Sequence, residues 1–381
     1  MIGNIVDYVR EYGHISLEEA PLNDVDSLVL SQFAYIKFDG IVPGPMENKR
    51  SLTMQEVYAH ADYENLYADV RYEKDNRALF EAMLQSTRFG NMRMNCYINI
   101  IETEWETQFS AITFLMEDGT LFIAYRGTDE SIIGWKEDFN MSFLSEIPAQ
   151  SYSVKYLNIV TGFLNKKFYI GGHSKGGNLA IYAAMNCSDV VRDRIIKVYS
   201  MDGPGFRPEV LERCDFEQIK ERTVKIMPHS ALVGMIFETN MDYQVVDCKG
   251  FGAAQHNPYT WIVQDGHFKM VEEITEYRKF MDATMNEFIL SLDEQQLRTV
   301  TDAVYGIVLA SETDNLIDFM ADWKKSVTGI MNALKEVDPS VKEALKELAK
   351  ELSSLMRARM KASLFEKVPG KQITTNEDEE A

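Results

Sequence analysis

Residues 166–180 read KKFYIGGHSKGGNLA: a short apolar run passes through Gly172-His173-Ser174-Lys175-Gly176 into an Ala-bearing, helix-compatible stretch. This is a G-x-S-x-G pattern with a strand before it and a helix after it, the setting in which a serine is presented on a sharp strand-to-helix turn. Residues two before and two after such a serine must lack bulk, because strand and helix nearly collide there. Gly172 and Gly176 meet that need, and Gly177 allows further close packing. A helix opening at Lys175 directs its first main-chain N–H groups and positive dipole end toward Ser174. Ser174 is therefore the expected nucleophile, and the Lys175 N–H the first expected oxyanion donor.

Working outward, the chain alternates short apolar runs with helical patterns. Phe168-Tyr169-Ile170, Ile195 to Met201, Thr223 to Met227 and Tyr243 to Val246 read as strands, and their alternation with helices predicts βαβ units and a mainly parallel sheet. Ahead of them, Phe109 to Met116 and Thr120 to Tyr125 flank Glu117-Asp118-Gly119, a hairpin signal. The expectation is an α/β-hydrolase fold: residues 1–105 an N-terminal helical and loop cover, 106–270 the core, 271–368 C-terminal helices packed on it, and 369–381 a disordered acidic tail. In the C-terminal part Val341, Leu345, Leu348, Leu352 and Leu355 form one apolar stripe after Asp338-Pro339.

The chain has 381 residues, 45% hydrophobic and 26% charged, with 59 acidic against 39 basic side chains and a net charge of −20. That field repels nucleic acid and anionic headgroups but leaves an uncharged or lipid-like ester admissible, since such a ligand depends on a local apolar pocket. The opening MIGNIVDYVREYGH carries acids among its apolar positions and does not read as a secretory signal. No run approaches the ~20 apolar residues of a spanning helix. Cys96, Cys187, Cys214 and Cys248 form no C-x-x-C pair and read as reduced thiols, which places the expected location in the cytoplasm. No H-E-x-x-H or close His/Cys/Asp cluster calls for a metal, and Pro208 stands where a dinucleotide loop starting at Gly203 needs its third glycine, so no cofactor is expected.

A serine hydroxyl needs a histidine base held by a third group. Six histidines are present. His14 and His60 fall in the cover, and His173 is constrained to point away from its neighbour's hydroxyl. His256 follows the last strand-like run in the Gly-rich KGFGAAQHNPYTW and is the expected base. His267 is the reserve, and His229 lines the site or sits satisfied in the core.

Tyr125-Arg126-Gly127-Thr128, GHSKGG at 172–177 and VYSMDGPGF at 198–206 together resemble the class 3 (fungal-type) lipases. Residues 1 to roughly 310 are more similar still to a bacterial domain-of-unknown-function family of lipase-like α/β-hydrolases. The lipase resemblance implies that Thr128 supplies a second oxyanion N–H, and that Trp135 and Asp138 hold structural places. Two departures stand out. Lys175 replaces the usual Leu, which is expected to alter the pocket mouth. Met227-Pro228-His229-Ser230-Ala231 lacks the acid that the lipases carry after the corresponding strand.

The third member is therefore assigned to Asp202, which ends the run Ile195 to Met201 at the same sheet edge as the elbow; Glu238, Asp242 and Asp247 are the alternatives. The reading is a serine ester hydrolase of the lipase/esterase kind using Ser174, His256 and Asp202. The alternative is a catalytically silent binding or scaffold protein on the same fold.

Overall fold

A computed structural model of the chain describes residues 2–299, apart from 48, 61–62, 69, 103–106, 129–145, 215, 232, 238–240, 251, 275 and 294, and of the remainder 346–347, 350–351 and 353–358. Its centre is a nine-stranded sheet. In chain order the strands are β1 (Ile2–Gly3), β2 (Leu52–Thr53), β3 (Arg93–Glu102), β4 (Thr107–Leu115), β5 (Leu121–Tyr125), β6 (Phe168–His173), β7 (Ile195–Met201), β8 (Thr223–Pro228), β9 (Gln244–Val246), β10 (Val263–Gln264), β11 (His267–Phe268) and β12 (Met270–Val271). The large sheet runs β12-β9-β8-β7-β6-β5-β4-β3-β2, while β1, β10 and β11 form a small one. From β5 to β9 neighbours are parallel, and both ends of the sheet are antiparallel. The architecture is that of an α/β hydrolase, with a mainly parallel centre.

The longer helices are α1 (Ile5–Tyr12), α2 (Asp24–Phe33), α3 (Glu73–Gln85), α4 (Pro148–Phe163), α5 (Lys175–Asn186) and α6 (Glu276–Ser291). Side chains alternate across a strand, so one strand serves two cores. Leu121, Ile123 and Tyr125 of β5 pack with Tyr156, Leu157 and Val160 of α4 and with Leu179 and Ala183 of α5. Phe122 and Ala124 face the opposite layer with Val25, Leu28 and Val29 of α2 and Leu79 and Phe80 of α3. Strands covered on both faces read as continuous apolar runs, which is why the parallel strands were legible. The hairpin turn also forms as read: Gly119 takes φ +83°, and Asp118 Oδ1 accepts the Thr120 N–H at 2.9 Å.

The boundary placed at 105 cuts through the sheet, because Arg93–Glu102, read as cover, is strand β3. Its register against β4 shifts between Asn95 and Ile98, where Cys96 adopts φ +57°. A bulge interrupts the two-residue alternation by which a strand is recognised. Tyr243 to Val246 is also not the last strand of the sheet, since β12 pairs with β9 beyond it.

In the cover, the Asn23 side chain caps α2 and the Asn23 N–H donates back to the Asp26 carboxylate, while Asp26 is fully buried against Arg88 and the Tyr8 hydroxyl, 2.9 Å away. A charge removed from water this far needs such a partner. At the other end most of the region 271–368, including the stripe from Val341 to Leu352, and all of 369–381 lie outside the described residues. Of that region, Asn286 on α6 bonds the Phe237 N–H at 3.1 Å and the Met235 carbonyl at 2.9 Å. Phe288, Leu292 and Leu297 cluster there with Leu355. Among the described residues no helix is long and apolar enough to cross a membrane.

Candidate active site

Ser174 joins β6 to α5 at φ 59°, ψ −135°, a backbone conformation that L-residues rarely hold. The surrounding bonds enforce it: the Ser174 N–H donates to the Met201 carbonyl at 2.9 Å and its own carbonyl accepts from Gly177 at 2.9 Å. A Cβ on Gly172 would overlap the carbonyl group of Gly176 and lie 2.6 Å from the Tyr125 oxygen, and one on Gly176 would overlap that same oxygen. Strand, helix and the end of β5 thus meet at two residues without side chains. At Gly177 an added Cβ would stand 2.6 Å from Ser200 Oγ.

Beyond β5, Arg126-Gly127-Thr128 lies against the elbow: a Cβ on Gly127 would come within 2.6 Å of the His173 oxygen and 3.0 Å of Ser174 Cβ. Arg126 is buried, with its guanidinium donating to Asn99 Oδ1 at 2.9 Å and its N–H to Ser110 O at 2.9 Å. These contacts fix the end of β5, and Thr128, itself buried, follows Gly127 directly. Trp135 and Asp138 lie outside the described residues.

His256 ends a turn of 3-10 helix, Gly252–His256. The two legs of its loop are held together by the pairing of Cys248 with Trp261 and by Lys249 N–H donating to Thr260 O at 2.8 Å. The ring is buried, and its Nδ1 stands 2.6 Å from Asp202 Oδ2. Asp202, fully buried at φ 48°, uses its second oxygen to accept the Gly234 N–H at 3.0 Å. It therefore does not cap the Gly203-Pro204-Gly205 turn that follows it. Asn178 does that instead, donating to the Gly205 carbonyl at 2.9 Å and the Pro204 carbonyl at 3.2 Å.

Of the other acids weighed, Asp242 is exposed, Asp247 pairs with Lys269 at 2.7 Å, and Glu238 lies outside the described residues. With Nδ1–H donating to a carboxylate, the lone pair of the neutral His256 ring is on Nε2. Ser174 Oγ makes no hydrogen bond to His256 in this structure; besides Asp202, His256 is in contact with His173, the neighbour of Ser174.

Lys175 departs from expectation. Its side chain is buried, and Nζ donates to the Gln108 carbonyl on β4 at 3.1 Å, so it is not presented to solvent. In the first turn of α5 this side chain points at the antiparallel end of the sheet. His229 stands one residue away from the base: Gln255 Nε2 donates to its Nε2 at 3.0 Å, and its Nδ1 is 3.8 Å from Asp247. His267 lies on β11 of the small sheet.

Three contributors escaped the sequence reading. Gln255 is fully buried, accepts the Ser230 N–H at 2.9 Å and donates to Gly250 O at 3.0 Å, so it anchors the loop just before His256. Gly234 supports Asp202 through its N–H. Tyr35 follows α2, and its hydroxyl lies 3.2 Å from His173 Nδ1. None is an acid, base or nucleophile within a motif, and the available signal was only the Gln-His pair in a Gly-rich loop.

The family model described as Mbeg1-like matches residues 83–306, more than half of the chain. The chain belongs to the Mbeg1-like family. No curated protein matches the sequence. Among solved structures it is similar to M37 lipase, with 17% identity, 56% of this chain and 70% of that one covered, and a TM-score of 0.38. It is also similar to the native Rhizomucor miehei lipase propeptide complex, with 14% identity, 61% and 83% covered, and a TM-score of 0.34. The span matched in this Mbeg1-like chain contains Ser174, Asp202 and His256, whereas α1, α2 and Tyr35 precede it.

Proposed function

We propose that this chain is a serine hydrolase that cleaves a carboxylic ester, small or lipid-like, through an acyl-enzyme. The observation that carries the reading is the buried Asp202–His256 pair at 2.6 Å, at the same sheet edge as a serine held at φ 59° on a glycine-packed elbow. A strained serine near an imidazole oriented by a buried carboxylate is the equipment of nucleophilic catalysis.

On substrate binding, Ser174 Oγ closes to His256 Nε2, a contact that commonly tightens only in the complex. His256 takes the proton as Oγ bonds to the ester carbonyl carbon. The main-chain N–H groups of Lys175 and Thr128 stabilise the resulting oxyanion. Collapse expels the alcohol with the proton from His256 and leaves the acyl group on Ser174. Water, deprotonated by His256, then attacks the acyl carbon and releases the acid. Asp202 remains ionised throughout and stabilises the imidazolium. No cofactor takes part, and the buried, unbridged Cys96, Cys187, Cys214 and Cys248 support a reducing compartment, the cytoplasm.

Labelling with a fluorophosphonate probe tests this without knowledge of the substrate. The wild type is expected to form an adduct on Ser174, and Ser174→Ala none, with kcat on short p-nitrophenyl esters falling on the order of 10⁶-fold. A folded wild type that takes no label would favour a silent scaffold, the reading consistent with the open Ser174–His256 contact.

A further inference from the structure

His173 takes no part in the chemistry above, yet it is buried and its ring lies 4.6 Å from that of His256, centre to centre, at 36°. Its orientation follows from the strand. Along β6, Ile170 faces α4 and α5, Tyr169 faces α2, and by the same alternation His173 points to the α2 side while Gly172 meets α5. There His173 Nε2 donates to the main-chain carbonyl of His256 at 2.9 Å. Tyr35, at the end of α2, places its hydroxyl 3.2 Å from His173 Nδ1 and 3.4 Å from the His173 carbonyl.

We propose that Tyr35 and His173 are positioning residues, which hold the His256 imidazole in register with Ser174. The inference rests on the serine-hydrolase reading and extends it to the cover, which supplies Tyr35.

Two physical arguments support it. His173 is covalently bonded to Ser174 and hydrogen-bonded to His256, so one residue sets the distance between nucleophile and base. A shift of about 1 Å in such a distance costs on the order of 10²-fold in rate. The hydroxyl of Tyr35, donating to Nδ1, also selects the neutral tautomer with hydrogen on Nε2. The opposite tautomer would turn a lone pair toward the His256 carbonyl oxygen, and a protonated His173 would set a second cation against the imidazolium that forms on His256. Burial and the charge of His256 both act to keep His173 unprotonated. The cover holds the His256 loop at a second point, where the Tyr259 hydroxyl donates to Asn76 at 2.7 Å and Gln32 of α2 donates to the same oxygen at 2.9 Å.

The test compares wild type, His173→Phe, His173→Gln and Tyr35→Phe on a short p-nitrophenyl ester. Phe keeps the ring and removes the donor, and Gln keeps a donor. His173→Phe is expected to lower kcat roughly 10- to 100-fold with KM within about twofold, Gln to recover most of the loss, and Tyr35→Phe to fall between. An unchanged kcat in His173→Phe, or equal losses in Phe and Gln, would overturn the proposal. A readout independent of turnover is the low-field proton resonance of His256 Nδ1–H against Asp202. It is expected to persist in Ser174→Ala and to shift or broaden in His173→Phe. An unchanged resonance there rejects the positioning role, whereas a wild type inert to fluorophosphonate rejects the hydrolase reading and with it the catalytic sense of the pair.

Discussion

Asp202 Oδ2 stands 2.6 Å from His256 Nδ1 although 54 positions separate the two residues. Both side chains are buried, so the carboxylate has no competing water and fixes which imidazole nitrogen bears hydrogen. Asp202→Asn preserves the shape but presents an amide N–H to Nδ1, which reverses the tautomer and removes the base. By analogy with serine proteases kcat is expected to fall about 10⁴-fold, measured by steady-state hydrolysis of a short p-nitrophenyl ester. Retention of parental kcat in a folded Asn variant would point to a structural carboxylate.

The conformation of Ser174 at φ 59°, ψ −135° costs an L-residue about 1–3 kcal/mol, which glycine does not incur. Ser174→Gly is therefore expected to be more stable than Ser174→Ala by about 1 kcal/mol, the greater freedom of unfolded glycine offsetting part of the relief. Urea denaturation of the two inactive variants measures the difference directly. Equal stabilities, or Ala the more stable, would mean that the turn is not strained.

At Gly176 the obstacle is backbone, since a new Cβ would meet the Tyr125 carbonyl group, which cannot rotate aside. Gly176→Ala is expected to destabilise by about 3 kcal/mol or to prevent folding. Gly162→Ala, where an added Cβ meets nothing within 4 Å, is the control and should be neutral or slightly stabilising in helix α4. Comparable midpoints for the two would contradict the packing described here.

Burial is the main cause that pushes the His173 imidazole well below its ordinary value of 6.5. The unfolded chain then binds more protons than the native chain as pH falls below that value. Its contribution is thus fully present above pH 6.5 and is lost progressively below it, until the depressed native value is reached. Thermal melts from about pH 7.5 to about pH 5 should show a shallower decline in Tm for His173→Gln than for the wild type. Parallel declines would show that His173 does not contribute to the acid sensitivity.

The parallel strands were legible because they are short apolar runs of three to seven residues, most of them fed by a helix, a pattern set by burial on both faces. Strand β3 was not, because the bulge at Cys96 puts two residues of one strand opposite one of the other and erases the alternation. The side chain of Lys175 misled for a different reason. A lysine in a motif is read as solvent-directed, and only the position of β4 beside α5 supplies the Gln108 carbonyl that receives it.

The sequence by itself determined the elbow, since a strand, a serine between two glycines and a helix are neighbours along the chain and their steric demands are local. It also narrowed the base by counting six histidines, and the acid to a few carboxylates at or beyond the strand ends. Which carboxylate meets His256 was decided by the tertiary structure, because β7 and the loop after β9 come together only through the parallel register of β7, β8 and β9. The contact of Tyr35 with His173 likewise depends on α2 packing against β6 from more than a hundred positions away. Such contacts have no period in the sequence, because hydrogen bonds between remote residues leave no repeating pattern of burial along either segment.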